Sequence, residues 1–139
     1  MNPDSDPTDA GEQLRMQSAA LESAANGIVI TDANGNVVWV NPAFTQSTGY
    51  SSAEILGRNP RILKSGKQDE SFYRQMWETI LSGKVWRNTV VNRRKDGTLN
   101  HEDLTITPII NTSGKITHFV GINQDITEFR SPRRGSKLT

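Results

Sequence analysis

Residues 85–125 read VWRNTVVNRRKDGTLNHEDLTITPIINTSGKITHFVGINQD, and this stretch decides the fold. It divides at two turns. Lys95-Asp96-Gly97-Thr98 puts Asp-Gly at the centre of a tight turn, where glycine takes a positive φ freely. Asn111-Thr112-Ser113-Gly114 has the same turn chemistry. The segments they bound are Val85 to Arg93, Leu99 to Ile110 and Lys115 to Asp125, and all three are expected to be strands of consecutive hairpins.

Side chains alternate across a strand. Trp86, Asn88, Val90 and Asn92 therefore share one face of the first segment. Glu102, Leu104 and Ile106 share one face of the second, with Thr105 and Thr107 opposite. On the third, Phe119, Gly121 and Asn123 point one way, and Ile116, His118, Val120 and Ile122 the other. Both faces of this last strand are apolar enough to be covered, which places it inside the sheet. Helices on one face, and Leu14 and Leu21 over the other, would supply that cover.

Upstream, Ile28 to Thr31 and Val37 to Val40 flank Asp32-Ala33-Asn34-Gly35 and form another hairpin. Asn41 caps a short helix with Pro42 at its first position, and Gly49 ends it. Ser51-Ser52-Ala53-Glu54 is a capping box that opens a second helix, closed by Gly57. Residues 58–68 read as irregular. Asp69 caps a longer helix to about Leu81, whose Phe72, Met76 and Ile80 lie on one face. Ile126 to Arg130 begins a further helix that Pro132 stops. Strands in two groups with clustered helices between them predict an α+β domain with an antiparallel sheet.

The ends differ in character. Residues 1–11 are rich in Asp, Pro, Ser and Thr and are expected to be disordered. A helix follows over residues 12–25, with Leu14 and Leu21 on one stripe. Two readings fit that stripe: packing on its own domain, or contact with a second copy. The basic end, residues 131–139, reads as a disordered, solvated tail. One domain over residues 26–130 accounts for most of the 139 residues.

Composition excludes several chemistries. There is no cysteine, so disulfides, thiolate metal sites and cysteine nucleophiles are absent. Formal net charge is +1, and the basic residues carry no interleaved aromatics, so nucleic acid is not an expected partner. No apolar run approaches the ~20 residues that span a bilayer. No membrane contact and a cytoplasmic location are the corresponding expectations. There is no Gly-rich phosphate loop, paired-carboxylate site or two-histidine metal spacing, so an enzyme is not expected.

Six pieces occur in order: Ile30-Thr31-Asp32-Ala33-Asn34-Gly35, Val40-Asn41-Pro42-Ala43-Phe44, Thr48-Gly49-Tyr50, Gly57-Arg58-Asn59-Pro60, Asn92 to Thr98, and Gln124-Asp125-Ile126-Thr127-Glu128. Together they resemble a Per-ARNT-Sim (PAS) sensor domain over roughly Leu14 to Arg130. The resemblance implies a five-stranded antiparallel sheet in the order 2-1-5-4-3, with short helices closing a cavity on one face. It also implies a dimerising helix before the first strand and a segment after the last that passes the signal to an output domain. Histidine kinases, as in two-component systems, and cyclic-dinucleotide enzymes are such outputs.

Within that family, light-oxygen-voltage (LOV) photoreceptors carry Gly-Arg-Asn-Cys-Arg where this chain reads Gly57-Arg58-Asn59-Pro60-Arg61. Pro60 stands at the photoactive cysteine, so the LOV photocycle is impossible here. The resemblance places Asn92, Asn123, Asn59, Arg61 and Thr31 among flavin contacts, with Glu102 where a second asparagine is usual. The chain also resembles the FAD-containing PAS domain of the nitrogen-fixation redox regulator, whose third strand carries a tryptophan before an Asn-Arg-Arg-Lys-Asp turn. By that likeness Trp86 packs near the flavin, while the residue by itself equally suits simple core packing. Asn92 also suits a cap on the hairpin turn. Haem is disfavoured, because His101 lies at a strand edge and His118 on the outer face. Two functions follow as expectations: a redox sensor holding FAD or FMN, or a cofactor-free PAS module for dimerisation, relay or metabolite binding.

Overall fold

The computed structural model describes residues 7–127, with side chains from Gly11 onward. Helix α1 spans Pro7–Ser23. Strands β1 (Gly27–Asp32) and β2 (Val37–Val40) are followed by α2 (Pro42–Thr48), α3 (Ser52–Ile55), a 3-10 turn (Pro60–Leu63) and α4 (Glu70–Leu81). Strands β3 (Trp86–Arg93), β4 (Leu99–Ile110) and β5 (Ile116–Asp125) complete the sheet. Its order is β2-β1-β5-β4-β3, antiparallel throughout, as expected.

The helix boundaries follow their caps. Asn41, Ser51 and Asp69 each accept a hydrogen bond from a backbone N–H of the first turn, and Ser51 and Glu54 form the full capping box. Helix α1 begins earlier than expected. Pro7 suits a first helical position, where its missing N–H costs nothing, so residues 7–11 are helical rather than disordered. The expected disorder of residues 1–6 and the basic tail lie outside the described residues. So does most of the helix expected after Ile126.

Two apolar clusters pack between the sheet and the helices. One joins Val29, Val37, Val40, Phe44, Ile55 and Leu63. The other joins Ile80, Trp86, Val90 and Phe119, with Phe72 and Met76 of the α4 stripe against it. Two register breaks adjust what faces inward. Val38 is the extra residue of β2, so Val37 and Val40 both reach the core. On β5, Ile110 pairs with Ile116 while Ile109 pairs with His118, leaving Thr117 as the extra residue. That bulge turns Ile116 to the inner side, where it packs on the second cluster. Strict alternation had put it on the outer face. Asn88 is a second departure: it shares the parity of Trp86 and Val90 but is exposed and accepts from Thr89 N at 2.8 Å.

Helix α1 does not hide the outer face as expected. Leu14 is 64% exposed, Leu21 42%, and Ile122 of β5 remains exposed. The helix is held at its C-terminal end, where Asn41 Nδ2 donates to Leu21 O (3.1 Å) and Asn26 O (3.0 Å). Asn41 Oδ1 accepts from Ile28 N (2.8 Å) and Phe44 N (3.0 Å). One buried amide therefore joins α1, β1 and α2.

Both edge strands are partnered by loops. On β3, Gln68 Oε1 accepts from Val91 N (2.7 Å), and Gln68 Nε2 donates to Val91 O (3.0 Å). On β2, Val37 N donates to Arg58 O (2.9 Å), and Gly57 N donates to Val37 O (2.8 Å).

Candidate functional site: a roofed cavity with a polar inner end

A cavity of about 290 Å³ lies between the two apolar clusters. Val29, Phe44 and Leu63 wall one side, and Ile80, Val90 and Phe119 the other. The size sits at the low end for small-molecule sites, enough for one fused ring system. Gly35 brings the β1–β2 turn over it. A Cβ there would stand 3.2 Å from both Asn59 Nδ2 and Trp77 Cη2, and the φ of +89° is a glycine conformation. Gly121 keeps the floor open, since a Cβ would meet Val29 Cγ1 at 3.0 Å.

Five of the seven expected site residues line this cavity: Thr31, Asn59, Arg61, Asn92 and Asn123. Thr31 Oγ1 donates to Asp32 O (2.9 Å). Asn59 caps the 3-10 turn, its Oδ1 accepting from Arg61 N (3.0 Å), and Pro60 follows on the cavity wall. Arg61 and Lys64 are exposed at the wall and bring positive charge there. Lys64 Nζ lies 4.0 Å from the centroid of the Tyr73 ring, a cation–π contact.

Trp86 and Glu102 stand elsewhere. Trp86 is buried against α4, where its Nε1 donates to Gln75 Oε1 (2.8 Å) and its ring meets Phe72 edge-on at 5.5 Å. It is a core residue and does not line the cavity. Glu102 lies behind the wall, 1% exposed. Its Oε1 accepts from Asn92 Nδ2 (3.0 Å) and Asn123 Nδ2 (2.8 Å), and its Oε2 from Asn100 Nδ2 (2.7 Å). Burial pushes the Glu102 carboxyl above the usual carboxylate range, against the pull of the Asn123 and Asn92 amides.

The sequence reading missed Asn100, which is 1% exposed and two residues from Glu102 on the same strand face. That spacing was its only signal. Asn100 extends the network: it donates to Ser47 Oγ (3.1 Å), and its Oδ1 accepts from Arg94 Nη2 (3.3 Å). Arg94 Nη2 also donates to Asp125 Oδ2 (3.1 Å), at the end of β5. A chain of polar contacts thus runs from the cavity wall to the last residue of the sheet. Asn123 Oδ1, in contrast, is buried with no partner.

His101 and His118 lie on the outer side of the sheet, by register with Val91 and Asp32. Among the described residues no group of three His, Asp or Glu side chains is placed to hold a metal ion. None of their helices is long and apolar enough to cross a membrane.

This sheet order and roofed cavity define the class as a small α+β domain with an antiparallel sheet covered on one face by helices. The model of the PAS domain family matches residues 25–128, and the chain belongs to that family. The nitrogen fixation regulatory protein of Klebsiella oxytoca is 40% identical over 107 residues, 77% of this chain and 22% of the relative. The chain thus spans about a fifth of that curated relative. A LOV domain from the Erythrobacter litoralis blue-light activated histidine kinase superposes with a TM-score of 0.68. It is 30% identical and matches 74% of this chain and 97% of that one. The structure titled "Flavin Analogue Sheds Light on Light-Oxygen-Voltage Domain Mechanism" gives a TM-score of 0.72 at 26% identity, over 82% and 87% of the two chains. The relatives are signalling proteins of which such a domain is one part.

Proposed function

We propose that this PAS domain is a cytoplasmic redox sensor that holds FAD or FMN and relays the state of the ring through its flanking segments, without turnover of its own. The observation that carries the reading is an apolar cavity, large enough for one fused ring system, lined by Asn123, whose Oδ1 is buried and unpartnered. An orphaned buried polar atom costs roughly 1–3 kcal/mol, and a ligand edge that donates to it removes that cost. The apolar walls suit the ring, Asn92 and Asn123 its polar edge, and Arg61 and Lys64 a phosphate outside. A bound flavin supplies a ring that takes up electrons and protons reversibly.

The protein's own residues provide the relay. Asn123 and Asn92 touch both the cavity and Glu102, and the contacts continue through Asn100 and Arg94 to Asp125. The segment beyond Asp125 would carry the change to an output such as a histidine kinase or cyclic-dinucleotide enzyme. A ligand drives this only through unequal affinity for two states. Freshly purified protein should be yellow, with a visible band bleached by dithionite. Colourless protein that takes up neither FAD nor FMN would reject the reading.

A second reading, a cofactor-free dimerisation and relay module, draws on the exposed stripe of α1 and the bare outer face. Leu14, Leu21 and Ile122 need an apolar partner, and a second copy offers the same surface. The double substitution Leu14→Asp and Leu21→Asp should convert a dimer to monomers in light scattering. An unchanged mass would remove α1 from the interface.

A further inference from the structure

One buried acceptor of a cavity-lining side chain, Asn123 Oδ1, owes its orientation to a residue that does not line the cavity. Asn92, Asn100 and Asn123 all turn their Nδ2 groups to Glu102, at 3.0, 2.7 and 2.8 Å. An ionised carboxylate accepts hydrogen bonds and donates none, so it holds the three amides in this sense. For Asn123 the consequence reaches the cavity. With Nδ2 committed, Oδ1 is left as the free end of a side chain that is 7% exposed and lines the wall. That oxygen has no partner.

We propose that Glu102 is a specificity-determining residue that fixes the hydrogen-bonding polarity of the inner wall, so that the site takes ligands whose buried edge carries an N–H or O–H donor. The inference rests on the cavity being a ligand site and names the edge chemistry it selects. An isoalloxazine qualifies through its imide N–H. A heterocycle with acceptors alone on that edge does not, because it would leave Asn123 Oδ1 buried and unpaired.

The selection depends on charge. A protonated Glu102 carries a donor of its own, and one amide is then free to turn Nδ2 into the cavity. The charged groups near Glu102 are Asp125, its register partner on β5, and Arg94 from the β3–β4 turn, which engages Asp125. From β3 and β5 the facing side chains are the neutral Asn92 and Asn123, and Asn100 separates it from Ser47 of α2. Burial places the switch above the usual carboxylate range. A donor ligand prefers the ionised form, so its affinity should fall as pH falls through that transition.

Two measurements on the whole chain test this. In ligand-free protein, side-chain amide resonances of Asn92, Asn100 and Asn123 should titrate together with the Glu102 carboxyl carbon. That shared transition should vanish in Glu102→Gln, with circular dichroism confirming the fold. An Asn123 resonance indifferent to Glu102 overturns the proposal. Riboflavin binding, followed by fluorescence quenching, should weaken at least tenfold across the transition in the native chain and less than twofold in Glu102→Gln. Constant native affinity across the transition also overturns it. Should no flavin bind at any pH while the shared titration is present, the orientation by Glu102 stands and the flavin reading fails.

Discussion

Replacing Asn41 with alanine is expected to lower the stability of the domain by about 2–4 kcal/mol, read as a shift in the midpoint of urea unfolding. Asn41 is fully buried and makes four hydrogen bonds, two accepted and two donated. Alanine leaves the buried N–H of Ile28 without that partner inside the protein, at roughly 1–3 kcal/mol, while Phe44 N keeps the backbone carbonyl of residue 41 at 3.1 Å. The lost bond to Phe44 N is the side-chain cap of α2, typically worth about 1 kcal/mol. Asn41→Asp separates the two halves of the effect. It keeps an acceptor for Ile28 and Phe44 but sets carboxylate oxygen against the carbonyls of Leu21 and Asn26. Buried and facing two carbonyls, that carboxylate should cost stability at neutral pH and return part of it as pH falls and the group gains a proton to donate, while hydrogen exchange in the last turn of α1 speeds up. A loss below about 1 kcal/mol for the alanine variant would show that water replaces the amide.

The second large effect is at Glu102. Alanine there removes the carboxylate partner of three amides, and a loss of about 2–4 kcal/mol follows from leaving buried donors unpaired. The pH dependence identifies the group. The folded protein raises this acid above its unfolded value, so the folded state binds more protons between the two. Stability from this group is therefore full below the ordinary carboxylate range and is lost as pH rises through the raised transition. Other carboxylates act oppositely. Lys95 holds Glu54 down to about 2, and Arg87 holds Asp103 low. Their contribution is lost only as pH falls below the ordinary range, so the two windows do not overlap. Unfolding midpoints of the native chain should decline across the upper window, and those of Glu102→Ala should not. An equal decline in both would assign the titration elsewhere.

Local chemistry explains which parts were legible in the sequence. Asp96-Gly97 and Asn111 to Gly114 announce their turns because few residues accept those backbone angles, and the strands follow from them. Asn41, Ser51 and Asp69 announce helices because their side-chain oxygens accept from N–H groups of the first turn. The failures all needed tertiary context. Thr117 looks like any strand residue, yet the bulge there reverses Ile116. Trp86 has the right parity for the cavity, but α4 packs on it, with Phe72 against its ring and Gln75 engaging its indole. Glu102 was legible as an acidic residue on the same strand face as Leu104 and Ile106. That Asn100 joins Asn92 and Asn123 around it depends on register, which no single strand reveals. Leu14 and Leu21 show a stripe but not the surface it meets.

The loop partners of the two border strands have a further consequence. An uncovered border is a template on which a foreign strand adds, and repeated addition builds fibrils. Here the amide of Gln68 occupies the free backbone groups of Val91, and residues 57 and 58 occupy those of Val37. Copies of this protein are thereby steered away from sheet-to-sheet polymerisation. Gln68→Ala should reopen one border, and slow growth of thioflavin-positive material would report it.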